Sequence, residues 1–324
     1  MSIPVPANTS NVPRIDPETW RPAASPDGWA ARARVLRQIR EFFFARGVLE
    51  VETPILSRFA APDASLDPIG CALGYLSTSP ETAMKRLVAA GSGSIYQITR
   101  AFRAGESGPL HNPEFTMLEW YRPGWNWREL IDESVTLALE VLGTTGRHEF
   151  TFAEAFTRFA GIDPFADDWA TLRNALPGPI PEGLERLELL DLLLTERVEP
   201  AFAALDGVVV LTRFPAERAA MAIIDSGPPA TALRFELYAR GVELVNGYQE
   251  LTDPDQQEAR LLEANAKRAE AGKLKLPIDG NFLDALRVGM PKTAGAALGV
   301  DRLVMLAMGA GRLAEVMAFP EDRA

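Results

Sequence analysis

Between His111 and Tyr121 the chain reads HNPEFTMLEWY, and from Phe115 it alternates with a period of two, which only a strand can use. One face would carry Phe115, Met117, Glu119 and Tyr121; the other would carry Thr116, Leu118 and Trp120. A carboxylate therefore sits in the middle of a largely apolar stripe. An unpaired buried carboxylate is costly and tends to neutralise itself. Glu119 either has a cationic partner inside the protein or receives a cation from outside.

The surrounding segments extend this strand into a sheet. SIYQITRAFRAG (94–105) reads as a second strand, and the turn-rich ESGPLHNP joins the two as an antiparallel pair with a long loop. GVVVLTRF (207–214) reads as a strand, LRFELYARGVELVNGYQELTD as a hairpin with its continuation, and TAGAALGVDRLVMLAMGAG as a small-residue strand entering a helix. VLEVETPIL (48–56) reads as a strand closed by Pro54. Helices are expected from Ser25-Pro-Asp-Gly to a stop at Gly47, over about 126–142, and over 253–271, the last with a solvated face. Another starts with Ser79 as cap, Pro80 in the first helical position and Glu81 next. Residues from about 147 to 205 are helical and acidic, broken by Pro164, Pro177, Pro179 and Pro181, and are expected as an insertion. Residues 1–25, rich in proline and small polar side chains, read as a flexible arm. Antiparallel neighbours mixed with helices predict an α+β fold for residues 26–324, an antiparallel sheet flanked by helices.

Composition excludes some functions. The net charge is -11, whereas a protein gripping long nucleic acid is usually basic, so tight tRNA binding is disfavoured. One cysteine, Cys71, leaves no intrachain disulfide and suits a reducing cytoplasm. The N-terminus lacks a signal-peptide pattern and no apolar run reaches membrane-spanning length, so a cytoplasmic protein is expected.

Four clusters carry chemistry. In FELYARGVELV a turn at Ala239-Arg240 sets Glu236 opposite Glu243, and a turn at Arg240-Gly241 makes them diagonal neighbours. Either register leaves two like charges on one face, an all-oxygen invitation to Mg²⁺ or Ca²⁺. In VNGYQE, Asn246, Tyr248 and Glu250 share a face, and reaching the same pocket as Glu243 requires a bulge, for which Gly247 is the obvious place. In GVDRLVML, Asp301 can cap the last helix and place Arg302 in its first turn, where it meets either Asp301 or Glu315 or a polyanion such as a nucleotide phosphate. Arg103 follows the strand SIYQITRAFR beside the loop carrying His111, either as a surface residue or as a clamp on a phosphoryl group. No GxxxxGK[ST] loop is present, AAGSGS (89–94) reads as a turn, and His111 and His148 lack metal-type spacing.

FRAGESGPLHNPEFTMLEWY resembles the second signature motif of the class II aminoacyl-tRNA synthetases, GAALGVDRLVML the third, and the first helix with VLEVETPIL the first, dimer-forming one. The similarity is greatest to the lysyl branch. That branch places an anticodon-binding barrel before the first motif, and here only a short arm precedes it. This makes the chain similar to a truncated paralogous family, the elongation factor P–(R)-β-lysine ligases. The resemblance implies ATP and Mg²⁺ as cofactors, a homodimer, and activation of β-lysine as an adenylate followed by transfer to a lysine side chain of elongation factor P. It implies Arg103 on the α-phosphate, Arg302 on the γ-phosphate, His111 and Asn112 flanking the nucleotide, and Phe115 stacked on adenine, with Glu106, Leu244 and Gly299 also in the ATP site. It implies Glu236 and Glu243 as metal ligands, and Ser79, Glu81, Glu119, Tyr121, Asn246, Tyr248, Glu250 and Ala297 around the amino acid. Glu119 would then await an ammonium group. Two positions depart from the family. Glu106 stands one place later than the motif's Arg-x-Glu, and Ala297 replaces a glycine, a change that goes with β-lysine over α-lysine. The competing readings are a free-standing lysyl-tRNA synthetase core and a catalytically inactive regulatory paralogue.

Overall fold

The computed structural model describes residues 20–181 and 183–324, so residues 1–19 of the expected arm lie outside the described residues. The arm's last residues are pinned: the Ala23 and Ala24 amides donate to Ala318 and Met317 near the C-terminus. The chain then runs through α1 (Pro26–Phe44), β1 (Leu49–Glu50), β2 (Leu56–Ser57), β3 (Gly70–Cys71), β4 (Gly74–Leu76), α2 (Glu81–Ala89), β5 (Ile95–Phe102), β6 (Glu114–Pro123) and α3 (Trp127–Leu142). The middle third holds β7 (Arg147–Thr151), α4 (Phe152–Ala160), α5 (Trp169–Ala175), α6 (Arg186–Leu193), α7 (Glu199–Phe202), β8 (Val208–Thr212), β9 (Ile224–Asp225) and β10 (Thr231–Ala232). The last third holds β11 (Arg234–Ala239), β12 (Val242–Gln249), α8 (Pro254–Glu270), α9 (Gly280–Gly289), β13 (Thr293–Gly299) and α10 (Val300–Ala307).

One eight-stranded sheet, in the order β1-β5-β6-β13-β12-β11-β8-β7, organises the fold. Its six central strands are antiparallel neighbours, and only the outer pairs β1–β5 and β7–β8 are parallel. This is the expected α+β architecture. One face carries α1, α3 and α10, whose Ile39, Phe43, Leu130, Ile131, Leu303 and Val304 bury against Leu118, Trp120, Leu237, Val245 and Leu298. The helices follow their local signals. Ser25 caps α1, Asn126 and Glu129 form a capping box on α3, and Asp253 caps α8. A buried knot fixes α1, β6 and α10 together: Asp301 accepts from Arg32 and from the Thr116 amide, and Arg32 also donates to the Thr116 hydroxyl.

Several local expectations are corrected. The 48–56 segment pairs over only Leu49–Glu50, and Leu56–Ser57 belongs to a separate three-stranded sheet with β4 and β3. Pro54 between them has no amide hydrogen to continue a ladder. Helix α2 begins at Glu81 rather than Pro80, because Ser79 spends its hydroxyl hydrogen on Glu119 while accepting from the Glu81 amide. The 147–205 segment starts with β7, parallel to β8, before its helices gather a core of Phe152, Phe156, Leu189, Leu193 and Phe202. Helix α8 is not simply solvated. Its Gln257, Leu261, Asn265 and Arg268 are buried, and Arg268 holds the 63–67 loop through Asp63, Leu66 and Asp67. Asp301 lies within the first turn of α10, after Gly299 at the cap, and is spent on Arg32.

Candidate active site

The other face of the sheet opens into a cavity of about 1280 Å³ lined by β6, β12, β13, the start of α2 and the loop around His111. Every residue expected at the site lines it: Ser79, Glu81, Glu119, Tyr121, Asn246, Tyr248, Glu250 and Ala297, and with them Arg103, Glu106, His111, Asn112, Phe115, Glu236, Glu243, Leu244, Gly299 and Arg302. Strand register explains the convergence. Ala297 on β13 pairs with Glu119 on one side and Asn246 on the other, so the three stand in a row across the sheet.

The hairpin turns at Arg240-Gly241, both with positive φ, as a two-residue primed turn requires. Tyr238 then pairs with Glu243, but Leu237 pairs with Val245, so the extra residue is Leu244. The bulge therefore sits three residues before the expected Gly247, and it brings Glu243 onto the face of Asn246, Tyr248 and Glu250. Gly247 serves close packing instead: a Cβ there would lie 2.4 Å from the Phe235 ring. Gly295 has the same role at the site itself, where a Cβ would meet the Glu250 carboxylate at 2.3 Å and the Tyr121 ring at 2.5 Å. Gly295→Ala should cost at least tenfold in amino-acid affinity while ATP affinity holds, in line with about 1–3 kcal/mol for overpacking. Separate titrations of the two substrates check this.

Glu119 is 3% exposed and has no cationic hydrogen-bond partner. It accepts from the Tyr121 hydroxyl at 2.5 Å and from the Ser79 hydroxyl at 2.7 Å. Burial, and then the nearby Glu81, push its carboxyl up to about 7. Glu250 differs. Lys85, fully buried on α2, lies 2.6 Å from Glu250 and 2.5 Å from Glu81. Burial still pushes Glu250 up to about 8, although Lys85 opposes it. The empty pocket thus holds protons where a cationic ligand would put its own charge. An arriving ammonium displaces them, so affinity for an amine should rise with pH to about 8, and binding near pH 6 should release protons, fading by about pH 8.5. Calorimetry in buffers of different ionisation enthalpy reads the release; proton uptake on binding would contradict it. The same sign holds for stability. The folded chain keeps protons that the unfolded one sheds near 4.5, so these groups stabilise the empty protein less as pH climbs from about 4.5 to 8.

A cationic end faces this acidic one. Arg302 donates to the Leu110 and Glu243 carbonyls and lies 3.4 Å from the Glu243 carboxylate, rather than meeting Asp301 or Glu315. It also lies 2.7 Å from Nε2 of His111. Burial and then Arg302 hold His111 below its ordinary value, and because a guanidinium can only donate, Nε2 is the acceptor in this contact. Arg103 stacks 4.9 Å over Phe115, lies 3.6 Å from Glu106, and keeps a buried Nε with no hydrogen-bond partner. Its charge also reaches His111, so both arginines share one end of the cavity. Asn112 lines the cavity, but its carboxamide is spent on the Glu114 carbonyl and the Glu321 amide, which fixes the loop.

Glu236 accepts from Arg234 and Tyr238. Burial, then Glu236 and Glu243, push Glu199 up to about 7, so three carboxylates repel one another here. Among the described residues no cluster of three or more potential ligands forms a self-sufficient metal site. Two carboxylates fit Mg²⁺, which commonly takes one or two plus phosphate oxygens and water. Sequence reasoning missed Lys85, Arg234, Glu199 and Gly295. Only Lys85 left a trace, its spacing of four from Glu81, which on a helix usually marks a surface pair.

An antiparallel sheet with arginines, paired acids and an acidic pocket arranged in this way defines a class II synthetase catalytic domain. The profile of the tRNA synthetases class II (D, K and N) matches residues 25–323, and the chain belongs to that family. Its relatives within the class are more specific. It is 45% identical over 321 residues to the elongation factor P–(R)-β-lysine ligase of Yersinia enterocolitica, covering 94% of this chain and 98% of that protein. It is 46% identical over 323 residues to the ligase of that name from Erwinia tasmaniensis, covering 95% and 99%.

Proposed function

We propose that this chain is an ATP-dependent ligase that activates (R)-β-lysine as an adenylate and transfers it to a lysine side chain of elongation factor P. The observation that carries the reading is Glu119, a buried carboxylate without a cation, in the same cavity as Arg103 and Arg302. A buried carboxylate and an incoming ammonium relieve each other's desolvation, which favours a diamino acid over an uncharged one. The same relatives support the acceptor and the β-isomer.

In the first step a substrate carboxylate oxygen attacks the α-phosphorus of ATP, and the bond to the leaving pyrophosphate breaks. Glu119, Glu250 and Asn246 hold the amino acid; the buried Asn246 Oδ1 has no partner and faces the work of accepting from the substrate. Arg103 stabilises the charge that grows on the phosphoryl oxygens, and Arg302 holds the far phosphate. Glu236 and Glu243 would hold Mg²⁺, which would neutralise phosphate charge when bound. In the second step a neutral lysine amine attacks the acyl carbon, AMP leaves, and the amine proton passes to solvent. Incubation of elongation factor P with the protein, ATP and (R)-β-lysine should raise the acceptor's mass by one β-lysyl group; an unchanged mass would overturn the acceptor assignment.

The protein acts as a homodimer in this reading. Exposed Phe44 at the end of α1, Leu49 on β1 and Leu56 on β2 supply apolar surface beside the first motif. Phe44→Glu with Leu49→Glu should shift the particle from dimer to monomer mass in light scattering; a wild-type monomer would contradict it.

A further inference from the structure

Lys85 has no role in the steps above. It is fully buried, its Nζ lies between Glu81 and Glu250, and its other neighbours are the Met221 sulfur at 3.6 Å and the Phe282 ring at 6.0 Å. A buried ion pair is a weak way to stabilise a fold, and well-packed apolar residues often do as well. Here both carboxylates of the pair also line the cavity, together with Glu119. The lysine therefore changes what the cavity can bind. Once an arriving cation has displaced the pocket's protons, three carboxylates against one ammonium leave two negative charges uncompensated.

We propose that Lys85 is a specificity-determining positioning residue: by cancelling one of the three pocket carboxylates, it sets the pocket to take a substrate with two ammonium groups. This rests on the reading that the substrate is a diamino acid. A pocket with all three acids unpaired would take up protons or a third cation, and a pocket with one unpaired acid would suit a monoamine. In that reading the substrate's own carboxylate would lie toward the ATP site and Arg103, and it counts at that end. The alternative, a purely structural Lys85, predicts that the two losses offset in folding stability, as for any buried pair, and weigh equally on diamine and monoamine. The charge count predicts an offset in the preference for diamine over monoamine, because removing one charge of each sign restores two.

The test compares wild type, Lys85→Met, Glu250→Gln and the double variant. Pyrophosphate exchange is measured with 3,6-diaminohexanoic acid and with 3-aminohexanoic acid, which has the same skeleton and one ammonium. Thermal unfolding is followed alongside. Each single variant should raise KM for the diamino acid by about a hundredfold or more with a smaller change in kcat, and Glu250→Gln should narrow the preference for diamine over monoamine. The double variant should bind the diamino acid at least about tenfold better than Glu250→Gln alone and regain the preference for diamine over monoamine that Glu250→Gln narrows. If Lys85→Met does not fold, that last comparison still decides, because the double variant removes both members of a buried pair. A double variant that binds the diamino acid no better than Glu250→Gln, or that recovers equally for diamine and monoamine, overturns the proposal and leaves the proposed function standing. A wild-type protein that activates no diamino acid overturns both.

Discussion

Glu119→Gln should lower kcat/KM for the diamino acid by roughly a hundred- to a few-thousand-fold. The substitution keeps the shape of the side chain but removes the charge and one of its two acceptor oxygens, so only one of the Tyr121 and Ser79 hydroxyls can still donate to it and the other must turn to accept from the new NH2. Breaking a buried ion pair from one side costs about 3–5 kcal/mol, because the partner is left buried and unpaired. The loss should sit in KM for the amino acid, since the ammonium is held in ground and transition state alike, while KM for ATP stays within about twofold. The proton release expected of the wild type should shrink with it, because Glu119 is one of the two groups that hold those protons. A Glu119→Gln protein with ordinary KM would mean that the ammonium binds elsewhere.

Arg103→Ala should lower kcat by about 10²–10³ with little change in either KM. Removing one preorganised donor aimed at charge that develops in the transition state has that magnitude. Arg103 fits the description: it is anchored by stacking on Phe115 and contact with Glu106, and its Nε is buried without a partner. Arg302→Ala should differ in kind. Arg302 already spends donors on Leu110 and Glu243, so it is positioned for a phosphate that is bound before and after reaction, and its loss should appear in KM for ATP. If both variants lost kcat alike with unchanged KM, the division of labour between the two arginines would be wrong.

The parts of this site legible in the sequence are those governed by short-range periodicity. Alternation alone puts Glu119 and Tyr121 on one face of β6, and the hairpin puts Glu236 near Glu243. What was illegible depends on packing across elements. A bulge can be inferred from the need to reconcile Glu243 with Asn246, but its place at Leu244 follows from the register against β11, which no local signal marks. Gly247, the usual cue for a bulge, is instead dictated by the Phe235 ring. Asp301 has the composition of a cap, yet Arg32, far away in sequence, claims it. Lys85 is the largest omission. Helical spacing pairs it with Glu81, but only the tertiary approach of β12 brings Glu250 to it and turns a surface-type pair into a buried one.

In the proposed reaction one cavity joins an acidic pocket for a diamino acid to a triphosphate cradle ended by two arginines. ATP–pyrophosphate exchange with (R)-β-lysine, α-lysine and norleucine reads both halves at once. Exchange should be rapid with (R)-β-lysine, slower with α-lysine, and absent above background with norleucine, which lacks the second ammonium. Exchange with norleucine as fast as with β-lysine, or no exchange with any of the three, would overturn the proposed reaction.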